Sequence, residues 1–329
     1  MPVPLLICDD STFAQKQMSR SLPVDWGVEI TFASNGLEAI EALKQGKGEI
    51  MFLDLNMPEM DGYQVLQAIR EQDISTMVIV VSGDIQPEAR KRVMQLGALD
   101  FIKKPIDQDA LISILDNYGI RRESSPSSKR EELKLDYLDA CKEVVNVAMG
   151  RAADLLARLL NVFVILPIPV VNRIEVSELR MALHEVQDKE TVSAVCQAFI
   201  GSGIAGEALL IFDESSFVDI AELMSFKGEL NDSAQMELLM DISSILIGAC
   251  LKGIANQLDI TFSQRNPAIL GRHVMINDIL KKNASGWNEI LAIEVPYRIE
   301  NKQIACDLLL LFTEDSIDAL KKRISYLSE

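Results

Sequence analysis

The first third of the chain alternates short apolar runs with segments of helix length. Such runs indicate strands buried on both faces, and helices between them indicate a parallel sheet that is covered on both sides. The apolar runs are residues 3–8, residues 50–53, Met77–Val81 and Leu99–Ile102. The predicted helices are Thr12–Ser21, Gly36–Gln45, Gly62–Glu71, Pro87–Gln95 and Gln108–Tyr118. Functional groups of such sheets lie beyond the carboxyl ends of the strands, where each run here gives way to polar residues.

The pattern changes after the last of these helices. Residues 121–131 are rich in serine and charge without apolar periodicity, so we predict a linker there. Two similar halves follow, at about residues 133–230 and 231–329, and each opens with a long helix before a strand that contains proline. Near its end each half has an apolar strand, Gly206–Phe212 or Cys306–Phe312, then an acidic turn and a helix. This repeated order predicts an α+β domain with internal pseudo-symmetry.

A polar motif is duplicated in the two long helices. Its first copy is Asp139-x3-Glu143-x2-Asn146-x3-Gly150 followed by Pro169, and its second, 98 residues later, is Glu237-x3-Asp241-x2-Ser244-x3-Gly248 followed by Pro267. Because five positions keep one offset, a duplicated unit explains the motif better than chance does. Residues three and four apart share a helix face, so each copy forms a polar stripe. Such a stripe is commonly a solvated face, but its carboxylate and carboxamide can also enter another protein's active site and hold a water there.

Composition narrows the classes of function. A net charge of −17 argues against nucleic acid and anionic membrane surfaces as default partners. The N-terminus lacks a basic segment, and the longest apolar run, Val162–Val171, contains two prolines, so we expect a cytoplasmic protein without membrane insertion. The five cysteines lie far apart and are expected to be reduced thiols. The two histidines, His184 and His273, are too few for a multi-histidine metal site and argue against a Ser-His-Asp hydrolase.

Polar residues at the ends of the apolar runs suggest phosphoryl chemistry. Asp9 and Asp10 follow the first run and Asp54 follows the second. Clustered carboxylates repel one another, and Mg2+, which prefers oxygen ligands, relieves that repulsion. Ser82 supplies a hydroxyl and Lys104 a point positive charge, so the set can transfer a phosphoryl group onto a carboxylate. A single acid at a strand end is common on protein surfaces, but the whole set in this order favours a phosphoryl site.

These residues resemble the receiver domain of two-component response regulators, over residues 1–120. The resemblance is carried by Asp9-Asp10, by Asp54-Leu-Asn-Met-Pro-Glu-Met-Asp-Gly62, by Ser82 and by Lys104-Pro105. It implies a flavodoxin-like α/β fold, which is a doubly wound five-stranded parallel sheet, and a cis Lys104–Pro105 bond. It also implies that a sensor histidine kinase or another phosphodonor is a partner.

The same resemblance implies a role for each polar residue. The implied phosphoacceptor is Asp54. The implied Mg2+ ligands are Asp9, Asp10, Asp54 and the backbone carbonyl of Asn56. The implied phosphoryl-binding and switch residues are Ser82, Lys104 and Phe101, the last of which has no hydroxyl to hydrogen-bond.

The first copy of the duplicated motif, Glu143 to Gly150 with an acid before it and a proline after it, resembles the CheC/CheX/FliY phosphatases of bacterial chemotaxis. This resemblance covers residues 132–329, and the duplication favours the CheC branch. It implies that the helix enters a phosphorylated CheY-type receiver, where Asn146 orients the attacking water and Glu143 engages the receiver's lysine. A neutral carboxamide suits that task, since it can accept from water and donate to a phosphoryl oxygen without repelling it.

The second copy of the motif departs from this pattern. Asp241 stands where the family has glutamate and is one methylene shorter, and Ser244 stands where the carboxamide is expected. We therefore predict a degenerate second site, weak or silent in catalysis, on a helix kept for pseudo-symmetric packing.

Three functions remain open. The first is a phosphatase, regulated by its own receiver, that hydrolyses phospho-aspartate in a separate CheY-type receiver. The second is an adaptor that binds a CheD-type deamidase or another chemotaxis partner with little hydrolysis. The third takes the chain's own Asp54 phosphate as substrate, and a linker that spans about 20 Å makes this geometrically demanding. A transcription factor is disfavoured because the C-terminal half has no basic recognition helix.

Overall fold

A computed structural model describes most of the chain. The described residues are 2–24, 26–120, 136–175, 192–213, 216–274, 289–302 and 304–327. They fall into two compact units, Met1–Gly150 and Arg151–Leu327. The predicted linker at residues 121–131 lies outside the described residues, as does His184.

The first unit contains a parallel sheet with helices between its strands. Its strands are β1 (Val3–Cys8), β2 (Val28–Ala33), β3 (Ile50–Leu53), β4 (Met77–Ser82) and β5 (Asp100–Lys103), and its helices are α1 (Thr12–Ser21), α2 (Gly36–Lys44), α3 (Gly62–Glu71), α4 (Pro87–Gln95) and α5 (Gln108–Asn117). The strand order is β2-β1-β3-β4-β5, and every pair is parallel. The prediction of a doubly wound five-stranded sheet is confirmed, and the Lys104–Pro105 bond is cis as expected.

Two apolar layers cover the faces of this sheet. Because successive strand residues point to opposite faces, neighbouring residues of one strand enter different cores. One core takes Leu6, Cys8, Met51, Leu53, Val78 and Val80, and the other takes Leu5, Ile7, Ile50, Phe52, Ile79 and Val81. Burial on both faces explains why these strands appear in the sequence as uninterrupted apolar runs.

Helices α1, α2, α3 and α5 begin at residues whose side chains cap free N–H groups. Ser11 Oγ accepts a hydrogen bond from Ala14 N at the start of α1. Asp61 and Gln64 form a reciprocal capping box at the start of α3. Each cap stabilises its helix by about 1 kcal/mol and fixes where the preceding loop ends. The loops after β1 and β3, which carry the polar residues, are thereby held between a strand end and a capped helix.

Helix α6 (Tyr137–Leu160) contributes its residues up to Gly150 to the first unit. The remaining elements belong to the second unit: β6 (Val164–Ile165), β7 (Val170–Glu175), β8 (Val192–Gly201), β9 (Ile204–Asp213), α7 (Ser216–Leu223), α8 (Asp232–Gln257), β10 (Ser263–Gln264), β11 (Ala268–Val274), β12 (Glu289–Ile299), β13 (Ala305–Thr313) and α9 (Glu314–Leu327). The same order of elements occurs twice, so the predicted α+β fold with internal pseudo-symmetry is confirmed.

The two halves of the second unit interlock in one antiparallel sheet. The two predicted apolar strands lie side by side at its centre, with Cys306 opposite Phe212 and Phe312 opposite Gly206. Strands β6 and β7 of the first half pair with β12 of the second, while β10 and β11 pair with β8 of the first. Pro169 and Pro267 precede β7 and β11 instead of lying inside them as predicted, because proline has no N–H for the ladder.

Helix α8 has the length and apolar composition of a membrane span. Within its most apolar 18-residue window, 61% of the residues are buried inside the structure. Ile242, Leu246, Ile247 and Cys250 are among the buried residues of this helix. This burial is the pattern of a helix that packs in a protein core.

Candidate functional site

The carboxyl ends of β1, β3 and β5 bring two acids and one lysine together. Lys104 Nζ lies 2.7 Å from Asp9 Oδ2 and 3.0 Å from Asp54 Oδ1. All three side chains are buried, and Asp54 is 2% exposed. Because parallel strands end at the same edge of a sheet, three residues far apart in sequence meet at one point.

Backbone groups and one glutamine hold these acids in place. Ser11 N donates to Asp9 Oδ1 at 3.0 Å, and Asn56 N donates to Asp54 Oδ2 at 2.8 Å. Gln15 is fully enclosed and its Nε2 donates to the carbonyls of Asp9 and Ala33, which ties the end of β1 to the end of β2. The carboxylates are therefore oriented by groups that cannot move without disturbing the sheet.

The start of helix α6 lies over this edge of the sheet, within the first unit. Asp139 Oδ2 accepts hydrogen bonds from Thr12 Oγ1 at 2.8 Å and from Phe13 N at 2.9 Å. A carboxylate is favourable there because the first N–H groups of α1 are free and the helix dipole is positive at its N-terminus. One turn further along α6, Lys142 Nζ pairs with Asp10 Oδ2 at 2.5 Å.

The polar stripe of the first motif copy reaches the acid cluster itself. Glu143 Oε1 lies 3.1 Å from Lys104 Nζ, so this lysine has three carboxylate partners. A small cavity beside them is lined by Asp9, Asp54, Lys104 and Glu143. Asn146 is 6% exposed, and its Oδ1 has no hydrogen-bond partner among the residues the structure describes. The stripe is thus covered by polar groups of the same unit, whereas the sequence favoured a face for another protein and left the chain's own receiver as an alternative.

A close approach of two glycines seats the helix on the loop after β4. A Cβ placed on Gly150 would lie 1.8 Å from the carbonyl oxygen of Gly83. A Cβ on Gly83 would lie 3.2 Å from Val147 Cα. The glycine of the first motif copy therefore lets the helix backbone contact the loop backbone directly.

Burial and charge set the protonation of the cluster. Burial raises the pKa of Asp9 well above its usual range, and the neighbouring Lys104 only partly offsets it. Burial likewise raises the pKa of Glu143 and of Asp10, with partial offsets from Lys104 and Lys142. Burial alone would lower the pKa of Lys104, but Asp54, Asp9 and Glu143 together raise it well above its usual value. Lys104 is thus a permanent cation in this site.

Two further predicted residues of the receiver motif lie near the cluster without joining it. Ser82 is fully buried at the end of β4, where its Oγ accepts from Asp84 N at 3.1 Å. Phe101 is half-buried and packs against the core on one face of the sheet.

The second copy of the polar motif lies in the other unit and is open. Glu237, Asp241 and Ser244 are exposed on α8, and Ser244 Oγ donates to the carbonyl of Met240 at 2.8 Å. A Cβ on Gly248 would meet nothing within 4 Å. The structure therefore places the two motif copies in different surroundings.

The chemistry of the acid cluster fits a hard cation. Asp9, Asp10 and Asp54 offer carboxylate oxygens at one sheet edge, and oxygen donors are what Mg2+ selects. Within the described ranges, however, no group of three or more His, Cys, Asp or Glu side chains has the spacing of a metal site. In this arrangement two ammonium groups, Lys104 and Lys142, pair with these acids.

Sequence reasoning missed three contributors to the site. The role of Lys142 was not predicted, because this lysine is not one of the positions that define the motif. Gln15 lies in an ordinary helix segment, and its role depends on the neighbouring strand. Gly83 matters because its backbone contacts Gly150. The only sequence signal of this close approach was the glycine of the motif, Gly150.

With this geometry established, comparisons with known proteins define the class of the chain. Residues 5–116 match the response regulator receiver domain. Chemotaxis protein CheY of Listeria monocytogenes is 37% identical over 113 residues, which cover 34% of this chain and 94% of that protein. The chain therefore belongs to the response-regulator family, and it carries a receiver domain of phosphorylation-regulated signalling.

Two solved structures are similar to parts of the chain. FliY of Thermotoga maritima is 16% identical, with a TM-score of 0.44, and the match covers 60% of this chain and 99% of that chain. A chain in the CheX-CheY-BeF3-Mg+2 complex from Borrelia burgdorferi is 31% identical, with a TM-score of 0.34, and covers 37% of this chain and 92% of that chain.

Proposed function

We propose that this protein is a receiver-regulated aspartyl-phosphate phosphatase of chemotaxis signalling in the cytoplasm. Its receiver accepts a phosphoryl group on Asp54 from a histidine kinase or another phosphodonor, and α6 removes such groups from CheY-type receivers. The observation that carries the proposal is the contact of 3.1 Å between Glu143 Oε1 and Lys104 Nζ. It supports the idea that this helix face fits the phosphorylation site of a receiver.

The proposed mechanism assigns one task to each side chain. The lysine of the substrate receiver that corresponds to Lys104 neutralises the phosphoryl oxygens, and Glu143 positions the helix by holding that lysine. Asn146 accepts a hydrogen bond from the attacking water and sets it in line with the bond to be broken. The water oxygen forms a bond to phosphorus, the bond between phosphorus and the aspartate oxygen breaks, and the electron pair returns to the carboxylate. Both protons of the water leave on the inorganic phosphate, as dihydrogen phosphate.

Mg2+ fits the same site as a cofactor. Asp9, Asp10, Asp54 and the backbone carbonyl of Asn56 would hold it, in keeping with the oxygen donors at this sheet edge. When bound, it supplies positive charge that stabilises the phosphoryl oxygens in both phosphorylation and hydrolysis. Lys142 would have to release Asp10 for all of these ligands to be available, since its ammonium contacts that carboxylate.

The first test compares the two copies of the motif. Glu143→Ala/Asn146→Ala should lower phosphate release from a phosphorylated CheY-type receiver by about 100-fold, because positioning of the water is lost. The matched variant Asp241→Ala/Ser244→Ala should retain the wild-type rate, because the second copy has a shorter acid and no carboxamide. Phosphate release is followed with a coupled spectroscopic assay at constant Mg2+.

Two other outcomes of this comparison would contradict parts of the proposal. A larger loss in the second variant would show that the active helix is α8. Equal, undetectable release by wild type and by both variants would contradict hydrolysis in a separate receiver and favour the adaptor that binds a CheD-type deamidase or another chemotaxis partner.

A second prediction concerns Lys142 and the cation. Lys142→Ala should tighten Mg2+ binding about tenfold, because removal of a competing cation beside Asp10 is worth about 1.4 kcal/mol. The dissociation constant is measured by isothermal titration calorimetry on the unphosphorylated protein, with Lys142→Arg as the control that keeps the charge. A dissociation constant that is unchanged or larger in Lys142→Ala would contradict competition between Lys142 and Mg2+.

A further inference from the structure

We infer that the first substrate of helix α6 is Asp54 of its own chain, so that the protein removes its own phosphoryl group and must release the helix before it can act on a separate receiver. The inference rests on the proposed function and names the substrate of that same site. Its basis is that Glu143 and Asn146 lie at the polar edge of the sheet in the same compact unit as Asp54.

Contacts at several points hold the helix on this edge. Asp139 accepts from Thr12 and Phe13, and the ammonium of Lys142 pairs with Asp10. These contacts are spaced along one helix face, and all of them are made to the segment from Asp10 to Phe13 that follows β1. A helix held in this way has a defined rotation and depth, which is what positioning a water requires.

The depth of the helix is fixed by the backbone contact between Gly150 and Gly83. The Gly83 loop follows β4, and β4 lies beside β3 in the sheet, so the contact lies on the same edge as Asp54. The equivalent glycine of the second motif copy, Gly248, has open space around it. Only the first copy therefore shows the fit that a receiver imposes on this motif.

Asn146 carries a buried polar atom that is unsatisfied in this arrangement. Its Oδ1 is buried and has no hydrogen-bond partner among the described residues, although Glu143 one turn earlier is paired with Lys104. A buried carboxamide oxygen without a donor is costly, by about 1–3 kcal/mol. A water presented to it for attack on the phosphoryl group of Asp54 supplies that donor.

Covalent connection favours the chain's own receiver over a separate one. Ile120 and Asp136 are separated by 15 residues of chain, which extend to at most about 55 Å. A covalent tether of this length keeps the helix at an effective concentration of about 1 mM near its receiver. At micromolar concentrations a separate receiver therefore competes at a disadvantage of about a thousandfold.

The same contacts limit activity toward other receivers. Glu143 and Asn146 are both buried while the helix lies on its own receiver, so a second receiver cannot reach them. Hydrolysis of phosphorylated Asp54 regenerates the free carboxylate and inorganic phosphate, as described above for a separate receiver. The outcome is a receiver with a short phosphorylated lifetime that also shields its phosphatase helix.

The test measures the decay of phosphorylated Asp54 after removal of a small phosphodonor. In wild type we expect first-order decay with one rate constant across a hundredfold range of protein concentration. Asn146→Ala should decay about 100-fold more slowly. Addition of Asp54→Asn chains, which carry an intact helix but no phosphoacceptor, should not speed up the decay of phosphorylated Asn146→Ala.

Two variants provide a matched structural control. Gly150→Ala should slow the decay by at least about tenfold, because its Cβ meets the Gly83 carbonyl and displaces the helix. Gly248→Ala adds the same methyl group at the equivalent repeat position, where nothing lies within 4 Å, and should leave the decay unchanged. Thermal unfolding and labelling of Asp54 check that both variants fold.

The outcomes separate this inference from the proposed function. A rate constant that rises with protein concentration, or rescue by Asp54→Asn chains, would overturn self-directed hydrolysis and leave phosphatase activity standing. Equal decay rates in Gly150→Ala and Gly248→Ala would contradict the claim that the contact between Gly150 and Gly83 positions the helix for hydrolysis. Equal decay in wild type and Asn146→Ala would also overturn the inference, and release from a separate CheY-type receiver then decides whether the proposed function fails with it.

Discussion

Asp54→Asn is expected to abolish labelling by a small phosphodonor in the presence of Mg2+. Asp54 has both a lysine and a backbone amide oriented on it, through Lys104 at 3.0 Å and Asn56 N at 2.8 Å. An amide oxygen is a poor nucleophile, so no phosphoryl group can be transferred to it. The measurement is the mass of the intact protein before and after incubation with the donor.

Asp109→Asn is the control for this experiment. Asp109 is exposed on α5, so the same chemical change there should leave labelling at the wild-type level. Wild type should also lose its label when Mg2+ is chelated before the donor is added. Full labelling of Asp54→Asn would mean that the phosphoacceptor is another residue.

Asn146→Ala is expected to have the second largest effect, a loss of about 100-fold in phosphate release. The carboxamide accepts from the attacking water, and alanine leaves that water without orientation. Asn146 Oδ1 makes no hydrogen bond within the described residues, so its removal should not lower the free energy of unfolding through a lost hydrogen bond at that atom. Release is measured at saturating substrate, together with thermal unfolding of the same preparations.

Asn146→Asp separates positioning from charge. The substitution keeps the shape of the side chain but adds a carboxylate beside the phosphoryl group and near Asp54 and Glu143. We expect release as slow as in Asn146→Ala, because repulsion replaces the lost donor. Release at the wild-type rate in both variants, with unchanged unfolding, would rule out a catalytic role for Asn146.

Much of the first unit could be predicted from the sequence because its strands are buried on both faces. The bounds of β1 and β3 and of helices α1, α3 and α4 agree with the prediction. Strand β2 was not identified as an apolar run, because it is an edge strand with exposed Glu29 and partly exposed residues after it. Edge strands need less apolar surface, so their pattern is weaker.

The pairing of strands in the second unit could not be predicted in the same way. Repeated order and apolar runs indicated two similar halves, but nothing in sequence shows that β6 and β7 pair with the opposite half. Such pairing depends on long-range packing of two hairpins, which local patterns do not contain. The duplication at one offset nevertheless predicted the correct sequence of elements.

The sequence predicted which residue types form the candidate site, but it did not predict where helix α6 lies relative to the strand ends. Lys104, Asp9 and Asp54 were expected to meet and do so. Sequence alone favoured a separate receiver as the target of Glu143 and Asn146 and left the chain's own receiver open, because it could not place the helix relative to the strand ends. The contact between Gly83 and Gly150 joins residues that are far apart in the chain, so no local sequence pattern predicts it.

The central claim is that Glu143 and Asn146 remove a phosphoryl group from a receiver aspartate. Its most direct test is the lifetime of phosphorylated Asp54 in the full chain, compared between wild type and Glu143→Ala/Asn146→Ala after the phosphodonor is removed. We expect a lifetime about 100-fold longer in the double variant, with equal initial labelling. Equal lifetimes, together with equal phosphate release from a separate CheY-type receiver, would contradict the account.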